Sequence, residues 1–363
     1  MESLDISKEA VKRILLIRLR NIGDVLLMVP TIRAFREAYP GAYLAAGVNA
    51  GTEEMLTGNP LLDEVLVFDP QWKTLPFGKR IAREGRFVRE VRKREFDLAV
   101  NLTEGDRGAF MCLASGARVK VGIYHPRGLW WKRRIYDHLV HPPDWKAHTV
   151  EQMLEVPRSL GLHPRDKRVE IFYPPEDRVA VADMLAKEGV SPEDALVHIH
   201  PTSRWLFKCW RDEAMAAVID ALEESGKARA VLTSGGEEKE LKKIDSILNA
   251  CRTRPVNLAG KVTLKQLAAL SHRSRLFLGV DTAPMHIAAA VGTPVIALFG
   301  PSGEFNWGPW GKGHMVIKKD WDCRPCGKDG CEGSKRSRCL EEISEEEVLK
   351  EIFLALGRNQ KNL

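Results

Sequence analysis

The sequence places an aspartate, a threonine and a histidine in one short motif, VDTAPMH, directly after the apolar run RLFLGV. Such a run is typical of a buried strand, and Asp281 and Thr282 follow where that strand would end. Ala283 and Pro284 would then open a helix, and backbone amides at a helix start bind anions. The motif predicts an anion site in which Asp281 and His286 could hold sugar hydroxyls. A buried core histidine is the alternative for His286.

The stretch HPTSRWLFK also follows an apolar run, and it supplies Thr202, Ser203 and Lys208. Hydroxyl groups donate hydrogen bonds to phosphate oxygens, and a lysine neutralises their charge. This pattern favours a phosphate-binding loop. The alternative is a surface loop in which Trp205 and Trp210 pack against the domain.

Two acidic residues, Glu237 and Glu238, follow a third apolar run in LTSGGEEKE. The paired glycines permit a tight turn, and a glutamate at such a turn can accept hydrogen bonds from two ribose hydroxyls. The alternative is ordinary acidic charge in the first turn of a helix.

Asp24 follows the first apolar run, in LRNIGDVLLMVP, where a strand would turn into a helix. The stretch lacks GxGxxG, which argues against the usual dinucleotide-binding fold. An aspartate there is either a helix N-cap or a general base that takes a proton from a substrate hydroxyl.

Alternation of short apolar runs with helical patterns is the feature that must position these residues. Runs such as RILLIRL, YLAAGV, EVLVFD, DLAVNL, RAVLTSG, PVNLAG and PVIALFG are separated by windows such as DVLLMVPTIRAFREAYP and DEAMAAVIDALEESG. This alternation predicts an α/β protein with parallel sheets, whose ligands lie beyond the carboxyl ends of the strands. The alternation is interrupted at RDKRVEIFYPPED, where a proline pair follows a charged stretch. We therefore expect two doubly wound domains, 1–172 and 173–342, with a cleft between them.

Residues 343–363 are expected to form a C-terminal helix and tail with an apolar face at Val348, Ile352, Phe353 and Leu356, which predicts packing and no chemistry.

Length and composition agree with this organisation. A chain of 363 residues with 44% hydrophobic composition can bury a large core and favours two domains. Its seven cysteines are too few and too clustered for a secreted disulfide framework, which favours a reducing cytosol. The start resembles no signal peptide, and the apolar stretch 287–299 is too short to cross a bilayer.

The excess of positive over negative charge lies in the first half of the chain. Residues 1–175 contain 28 Lys and Arg against 22 Asp and Glu, and within 79–134 the counts are 15 against 6. The excess indicates either a solvated helix face or a surface for an anionic partner such as phosphorylated lipid or nucleic acid.

Four cysteines form a cluster near the C-terminus: Cys323, Cys326, Cys331 and Cys339. Four thiols with one CxxC are enough ligands for a structural zinc or an iron–sulfur cluster. The alternative is that they remain reduced thiols, with no metal at the predicted active site.

The segments LRNIGDVLLMVPTIRAFREAYP, HPTSRWLFKCW and GVDTAPMHIAAAVGTPVIALFGPS together resemble glycosyltransferase family nine, the lipopolysaccharide heptosyltransferases, and most of all the heptosyltransferase III branch. The resemblance implies a GT-B fold of two Rossmann-like domains. It also implies an ADP-heptose donor in the second domain and a lipopolysaccharide inner-core acceptor in the first. Transfer would invert the sugar carbon and would require no cofactor or catalytic metal. The enzyme would be cytoplasmic and would contact the inner face of the inner membrane.

Residue by residue, the resemblance implies that Asp24 is the catalytic base and that Lys208 contacts the donor diphosphate. The other implied donor contacts are Thr202 and Ser203 for phosphate, Glu237 in preference to Glu238 for ribose, Asp281 and His286 for the sugar, and the amides of Thr282 and Ala283 for the diphosphate. For the acceptor and membrane, we expect Lys132, Arg133 and Arg134 to contribute charge.

Three alternatives use the same features differently. A nucleic-acid-binding protein would use the basic stretch and the cysteine cluster. A non-catalytic nucleotide-sugar-binding protein would keep Lys208 and Glu237 but lack a base, so Asp24 favours an enzyme. A related transferase would use another nucleotide sugar or a protein acceptor.

Overall fold

The computed structural model describes residues 10–124, 134–141 and 144–359. The chain divides between Phe172 and Tyr173 into two compact units, each built around one parallel six-stranded sheet with helices. Parallel strands are covered on both faces, which explains why most of the strands are continuous apolar runs in the sequence.

The first unit contains strands β1 to β6, which are Arg13–Arg18, Tyr43–Asn49, Glu64–Phe68, Leu98–Asn101, Val119–Ile123 and His138–Val140. Their order across the sheet is β3-β2-β1-β4-β5-β6. The helices α1 to α5 are Ile22–Leu26, Val29–Ala38, Phe77–Arg92, Asp106–Ala114 and Thr149–Ser159. The central strand β1 is almost wholly buried, and it leads directly to the turn that carries Asp24.

The second unit contains strands β7 to β12, which are Leu196–His200, Arg229–Leu232, Val256–Asn257, Leu276–Val280, Val295–Leu298 and Met315–Ile317. Their order is β12-β11-β10-β7-β8-β9. The helices α6 to α13 are Pro175–Lys187, Asp212–Glu224, Glu238–Ala250, Leu264–Arg273, Ala283–Ala290, Glu304–Trp307, Arg338–Glu341 and Glu345–Asn359. β10 and β7 are therefore neighbours at the centre of the sheet.

Every apolar run predicted as a strand contains one, and the predicted α/β class is confirmed. The short strands β5, β6 and β12 were not predicted, because residues such as Lys120 and His138 interrupt their apolar pattern and several of their positions are partly exposed. The single helical window predicted over 24–40 is in fact two helices, α1 and α2. Pro30 lies at the start of α2, where its missing amide hydrogen prevents a continuous helix.

The C-terminal helix α13 packs as its sequence predicts. Val348, Ile352 and Leu356 are buried in the core of the second unit, together with residues of α7 and β10, and Phe353 packs against this core. None of the helices in the described ranges combines the length and apolar character that a membrane span needs.

Candidate functional site

The carboxyl ends of β10, β7 and β8 lie side by side in the second sheet, since these strands are consecutive in its order. The loops that follow them carry the predicted phosphate, sugar and ribose residues. Strand order therefore brings together three segments that are far apart in the sequence.

Lys208 and Asp281 form an ion pair across this edge. The Lys208 ammonium lies 2.6 Å from a carboxylate oxygen of Asp281, and the two side chains are 20% and 9% exposed. The ammonium also lies 5.5 Å from the centre of the Trp205 ring. Lys208 is therefore a partly buried cation held at the end of β10, next to the start of α10.

The helix α10 begins at this ion pair. Thr282 is its N-cap residue with an extended backbone, its hydroxyl caps no amide, and Pro284 lies in the first turn. The first amides of a helix have no acceptor within the helix, so those of Thr282 and Ala283 are suited to an anion. Pro284 has no amide hydrogen, and the amide of Met285 donates to the Thr282 carbonyl at 3.1 Å. His286 lies one turn further along and is 4% exposed. The site thus combines a lysine with helix amides, which is suitable for binding phosphate.

Thr202 and Ser203 follow β7 and are both buried. The Thr202 hydroxyl donates a hydrogen bond to Glu240 Oε2 at 2.8 Å, so its proton is already engaged within the protein. The Ser203 hydroxyl oxygen accepts a hydrogen bond from the amide of Trp205 at 3.3 Å. The first hydroxyl therefore joins the loop after β7 to the helix α8, and the second shapes the turn that leads to Lys208.

Glu240 is a residue that the sequence analysis missed. The same carboxylate oxygen that binds Thr202 also accepts the amide of Gly235 at 3.1 Å. A Cβ atom on Gly235 would lie 2.9 Å from the carboxylate oxygens, so glycine permits this close approach. A signal was available in α8, where Glu240 shares the buried face of Ile244 and Ile247 at helical spacing. An acid in that apolar stripe indicates a bound or structural carboxylate.

Glu237 is the N-cap residue of α8 and its side chain is 54% exposed. Its carboxylate lies 3.0 Å from Lys239 and 4.0 Å from Arg204. The hydrogen bond from Lys239 lowers the pKa of Glu237. Glu238 instead pairs with Lys242 one turn along the helix at 2.6 Å. Of the two glutamates, Glu237 stays at the strand end.

Two buried histidines of β7 form hydrogen bonds beneath these loops. His198 and His200 both contact the Thr233 hydroxyl, at 2.7 and 2.8 Å, and His198 also contacts Ser271 at 2.9 Å. Burial lowers the pKa of His200 to about 3 and also lowers that of His198. Both rings are therefore neutral near pH 7, and they join the ends of β7 and β8 without adding charge.

Asp24 lies in the first unit, in the first turn of α1. Its carboxylate accepts a hydrogen bond from Arg18 at 2.7 Å, and Arg18 also donates to the carbonyl of Leu102. Burial lowers the pKa of Arg18, and the charge of Asp24 opposes that effect. The N-cap of α1 is Asn21, so the N-cap alternative for Asp24 is wrong. The sequence did not indicate the pairing with Arg18.

The cysteine cluster is spread over different environments, since Cys323 is exposed and Cys339 is buried. Across residues 10–124, 134–141 and 144–359, no three His, Cys, Asp or Glu side chains are grouped to hold a metal ion. Of the predicted basic trio, Lys132 and Arg133 lie outside the described residues, whereas Arg134 is described and exposed.

The helix α3 has an unusually basic exposed face, and Val91 is its one buried residue. Lys79, Arg83, Arg86 and Arg89 are all exposed and fall on one arc of the helix at 3.6 residues per turn. None of these four cations forms an ion pair with another residue in the described part of the chain.

Two apolar side chains at the start of α3 are also exposed. Phe77 and Ile81 are 79% and 53% exposed to solvent. At 3.6 residues per turn, however, both lie on the side of α3 opposite the four cations, the same side as the buried Val91. The surface suited to an anionic partner is therefore the basic arc alone.

Comparison with known proteins supports one family. The model of glycosyltransferase family 9 (heptosyltransferase) matches residues 85–336. The chain is 36% identical over 295 residues to lipopolysaccharide heptosyltransferase 3 of Escherichia coli, an alignment that covers 80% of this chain and 84% of that protein.

Solved structures share the fold. The glycosyl transferase family 9 protein of Veillonella parvula matches with a TM-score of 0.83 at 24% identity, over 98% of this chain and 99% of that chain. The Escherichia coli heptosyltransferase WaaC with ADP-2-deoxy-2-fluoro heptose matches with a TM-score of 0.71 at 19% identity, over 94% and 99%. These likenesses confirm the predicted GT-B fold.

Proposed function

This chain belongs to glycosyltransferase family 9, the heptosyltransferases, and from that membership we propose that it transfers heptose from ADP-heptose to a hydroxyl of the lipopolysaccharide inner core. The observation that carries the proposal is the ion pair of Lys208 and Asp281 at the start of α10. A nucleotide sugar offers a diphosphate next to a sugar, and this pair offers a cation next to a hydrogen-bond acceptor. The relatives named for lipopolysaccharide transfer support the acceptor class.

Lys208 stabilises the leaving diphosphate in this proposal. As the bond from the sugar carbon to the diphosphate lengthens, negative charge develops on the leaving oxygens. A fixed ammonium and the amides of Thr282 and Ala283 stabilise that charge without moving. Because these groups already supply positive charge, we propose that the reaction needs neither a cofactor nor a catalytic metal.

Donor recognition uses the neighbouring side chains. Glu237 accepts hydrogen bonds from the ribose hydroxyls, and Asp281 and His286 bind the heptose. Thr202 contributes through the loop that Glu240 holds, since its hydroxyl already donates to that carboxylate. Ser203 lies in the same loop as Lys208 and contacts the phosphate side of the donor.

Asp24 takes the proton of the acceptor hydroxyl in a single displacement. Arg18 binds one of its carboxylate oxygens, Oδ1, and the proton goes to the other, Oδ2. Attack from the face opposite the leaving diphosphate inverts the sugar carbon, with no covalent intermediate. Correct positioning of the acceptor hydroxyl against this carboxylate contributes much of its effect.

The test of this function is transfer by the purified protein from a panel of nucleotide sugars to inner-core acceptors. We expect product from ADP-heptose, no loss of rate with EDTA, and an inverted anomeric configuration by NMR. Faster transfer from another nucleotide sugar, or to a protein acceptor, would contradict the substrate assignment. A retained configuration would contradict the single displacement.

We propose in addition that the first unit contacts the anionic inner face of the inner membrane. The basic face of α3 supports this contact, with Lys132, Arg133 and Arg134 adding charge further along the same half of the chain. Each Lys or Arg near an anionic surface contributes on the order of 1 kcal/mol, and salt screens the attraction.

Sedimentation with vesicles tests the membrane contact. A Lys79→Glu, Arg83→Glu, Arg86→Glu variant should lose salt-sensitive binding to vesicles containing phosphatidylglycerol, while ADP affinity is unchanged. The matched control reverses the same number of exposed charges in the second unit, at Lys187, Lys227 and Lys312. Equal loss in both variants, or equal binding to neutral and anionic vesicles, would contradict the assignment to α3.

A further inference from the structure

Residues 318–340, which contain the cysteine cluster, attach directly to loops at the carboxyl edge of the second sheet. One attachment is to the loop after β7, and the others are to the loop after β11. Because β10 lies between β7 and β11, the segment holds the loops on both sides of Asp281.

Ser337 makes the attachment to the loop after β7. It is 4% exposed, and its hydroxyl donates a hydrogen bond to the carbonyl of Phe207 at 2.7 Å. That carbonyl belongs to the same peptide group as the amide of Lys208, which donates to the carbonyl of Trp205 at 2.9 Å. A peptide group is planar, so hydrogen bonds at its two ends fix its orientation. Ser337 thereby helps to fix the direction in which the Lys208 side chain leaves the backbone.

Arg324 makes the main attachment to the loop after β11. Its side chain is 5% exposed, and it donates to the carbonyl of Gly300 at 2.6 Å and to Glu304 at 3.1 Å. The amide of Gly327 adds a hydrogen bond to the carbonyl of Pro301 at 2.9 Å. A buried guanidinium with several acceptors restricts motion on both sides of it. The far end of the segment is therefore fixed as well.

We propose that Ser337 is a positioning residue for Lys208, and that residues 318–340 serve to hold the diphosphate-binding loops in place. The inference rests on the proposed function, because it takes Lys208 as the diphosphate ligand. In this inference Ser337 and Arg324 hold the loops, whereas the sequence indicates a function only for the cysteine thiols of the segment.

The first test compares two serines of the same segment. Ser337→Ala removes the hydrogen bond to Phe207. The control, Ser334→Ala, removes an exposed hydroxyl that donates to the carbonyls of Cys331 and Arg336, both in the same segment. Calorimetry should show ADP binding weakened about fivefold in Ser337→Ala, the effect of losing one hydrogen bond of ordinary strength, and unchanged in the control. Ser337→Thr keeps the hydroxyl and should bind ADP as the wild type does.

The second test asks whether Ser337 acts through Lys208. In a Lys208→Met background, Ser337→Ala should have no further effect on ADP affinity, because the side chain that it positions is gone. A fivefold loss in both backgrounds would show a general structural effect and would overturn the inference. If Ser337→Ala does not fold, Ser337→Cys, kept reduced, replaces it in the same cycle.

The outcomes separate this inference from the proposed function. If Lys208→Met leaves ADP affinity unchanged, the diphosphate role of Lys208 fails, and the inference fails with it. If Lys208→Met weakens ADP binding but Ser337→Ala does not, only the inference fails, and the proposed function stands.

Discussion

The ion pair of Lys208 and Asp281 allows binding and stability to be separated in one experiment. The perturbation is a cycle of three variants: Lys208→Met, Asp281→Asn and the combination of both. In the wild type the two charges are 2.6 Å apart, and the side chains are 20% and 9% exposed. Lys208→Met leaves the Asp281 carboxylate without its cation in a largely buried position.

The expected magnitudes follow from this geometry. A hydrogen bond to a charged group contributes about 1.5–3 kcal/mol, and partial exposure of Lys208 favours a value of about 2 kcal/mol for its removal. In a domain of this size, that loss lowers the melting temperature by about 4–8 °C. Loss of one charged contact to the diphosphate of similar strength should weaken ADP binding about 30-fold.

The combined variant distinguishes the two roles. Asp281→Asn in the Lys208→Met background removes the uncompensated charge, so stability should return to within about 1 kcal/mol of the wild type. ADP binding should stay weak, because the cation is still absent. Asp281→Asn alone should bind ADP at least as tightly as the wild type, since Lys208 is released from its partner.

The assay is calorimetric titration with ADP, combined with thermal melts of each variant in the same buffer. ADP is used in place of the complete donor because it lacks the heptose, which Asp281 is proposed to bind. Recovery of ADP affinity together with stability in the combined variant would refute the reasoning. It would show that the pair serves folding and that Lys208 does not bind the diphosphate.

Three further predictions concern other parts of the protein. Asp24→Ala should lower turnover by about two orders of magnitude or more while ADP affinity is retained, and an unchanged rate would exclude Asp24 as the base. Glu240→Ala should weaken ADP binding and lower the melting temperature, because the Thr202 hydroxyl and the Gly235 amide lose their acceptor; calorimetry and melts in which neither changes would exclude a role in holding the loops. The pair Cys323→Ser, Cys326→Ser should retain transfer activity, and a stoichiometric redox-active metal at the sugar site by elemental analysis would contradict that view.

Much of the fold could be predicted from the sequence. The strands of a parallel sheet are buried on both faces, so β1, β7 and β10 appear as apolar runs of the right length. Short strands at or near the sheet edges, such as β6 and β12, are partly exposed and carry no such signal. The sequence also identifies the candidate site segments, because residues that bind ligands follow the carboxyl ends of strands, and their binding roles stay predictions.

The contacts within the site could not be predicted in the same way. Thr202 was expected to donate to phosphate, whereas its hydroxyl donates to Glu240, which lies on a helix 38 positions away. The sequence predicts that Asp24 either caps a helix or acts as a base, and nothing in it indicates the partner Arg18. A short polar side chain can form hydrogen bonds with any of several partners. Which partner is nearest depends on the positions of neighbouring loops in the folded protein.

The sequence by itself determined the α/β class, the residues at the strand ends and the family of the chain. These depend on local apolar patterns and on short motifs of consecutive residues. Only the tertiary structure decided that Lys208 meets Asp281, 73 positions away, and that Ser337 holds the peptide group before Lys208. These contacts depend on the order of strands across the sheet, with β10 between β7 and β11. That order is set by the packing of whole helices and strands against one another, which no single stretch of sequence encodes.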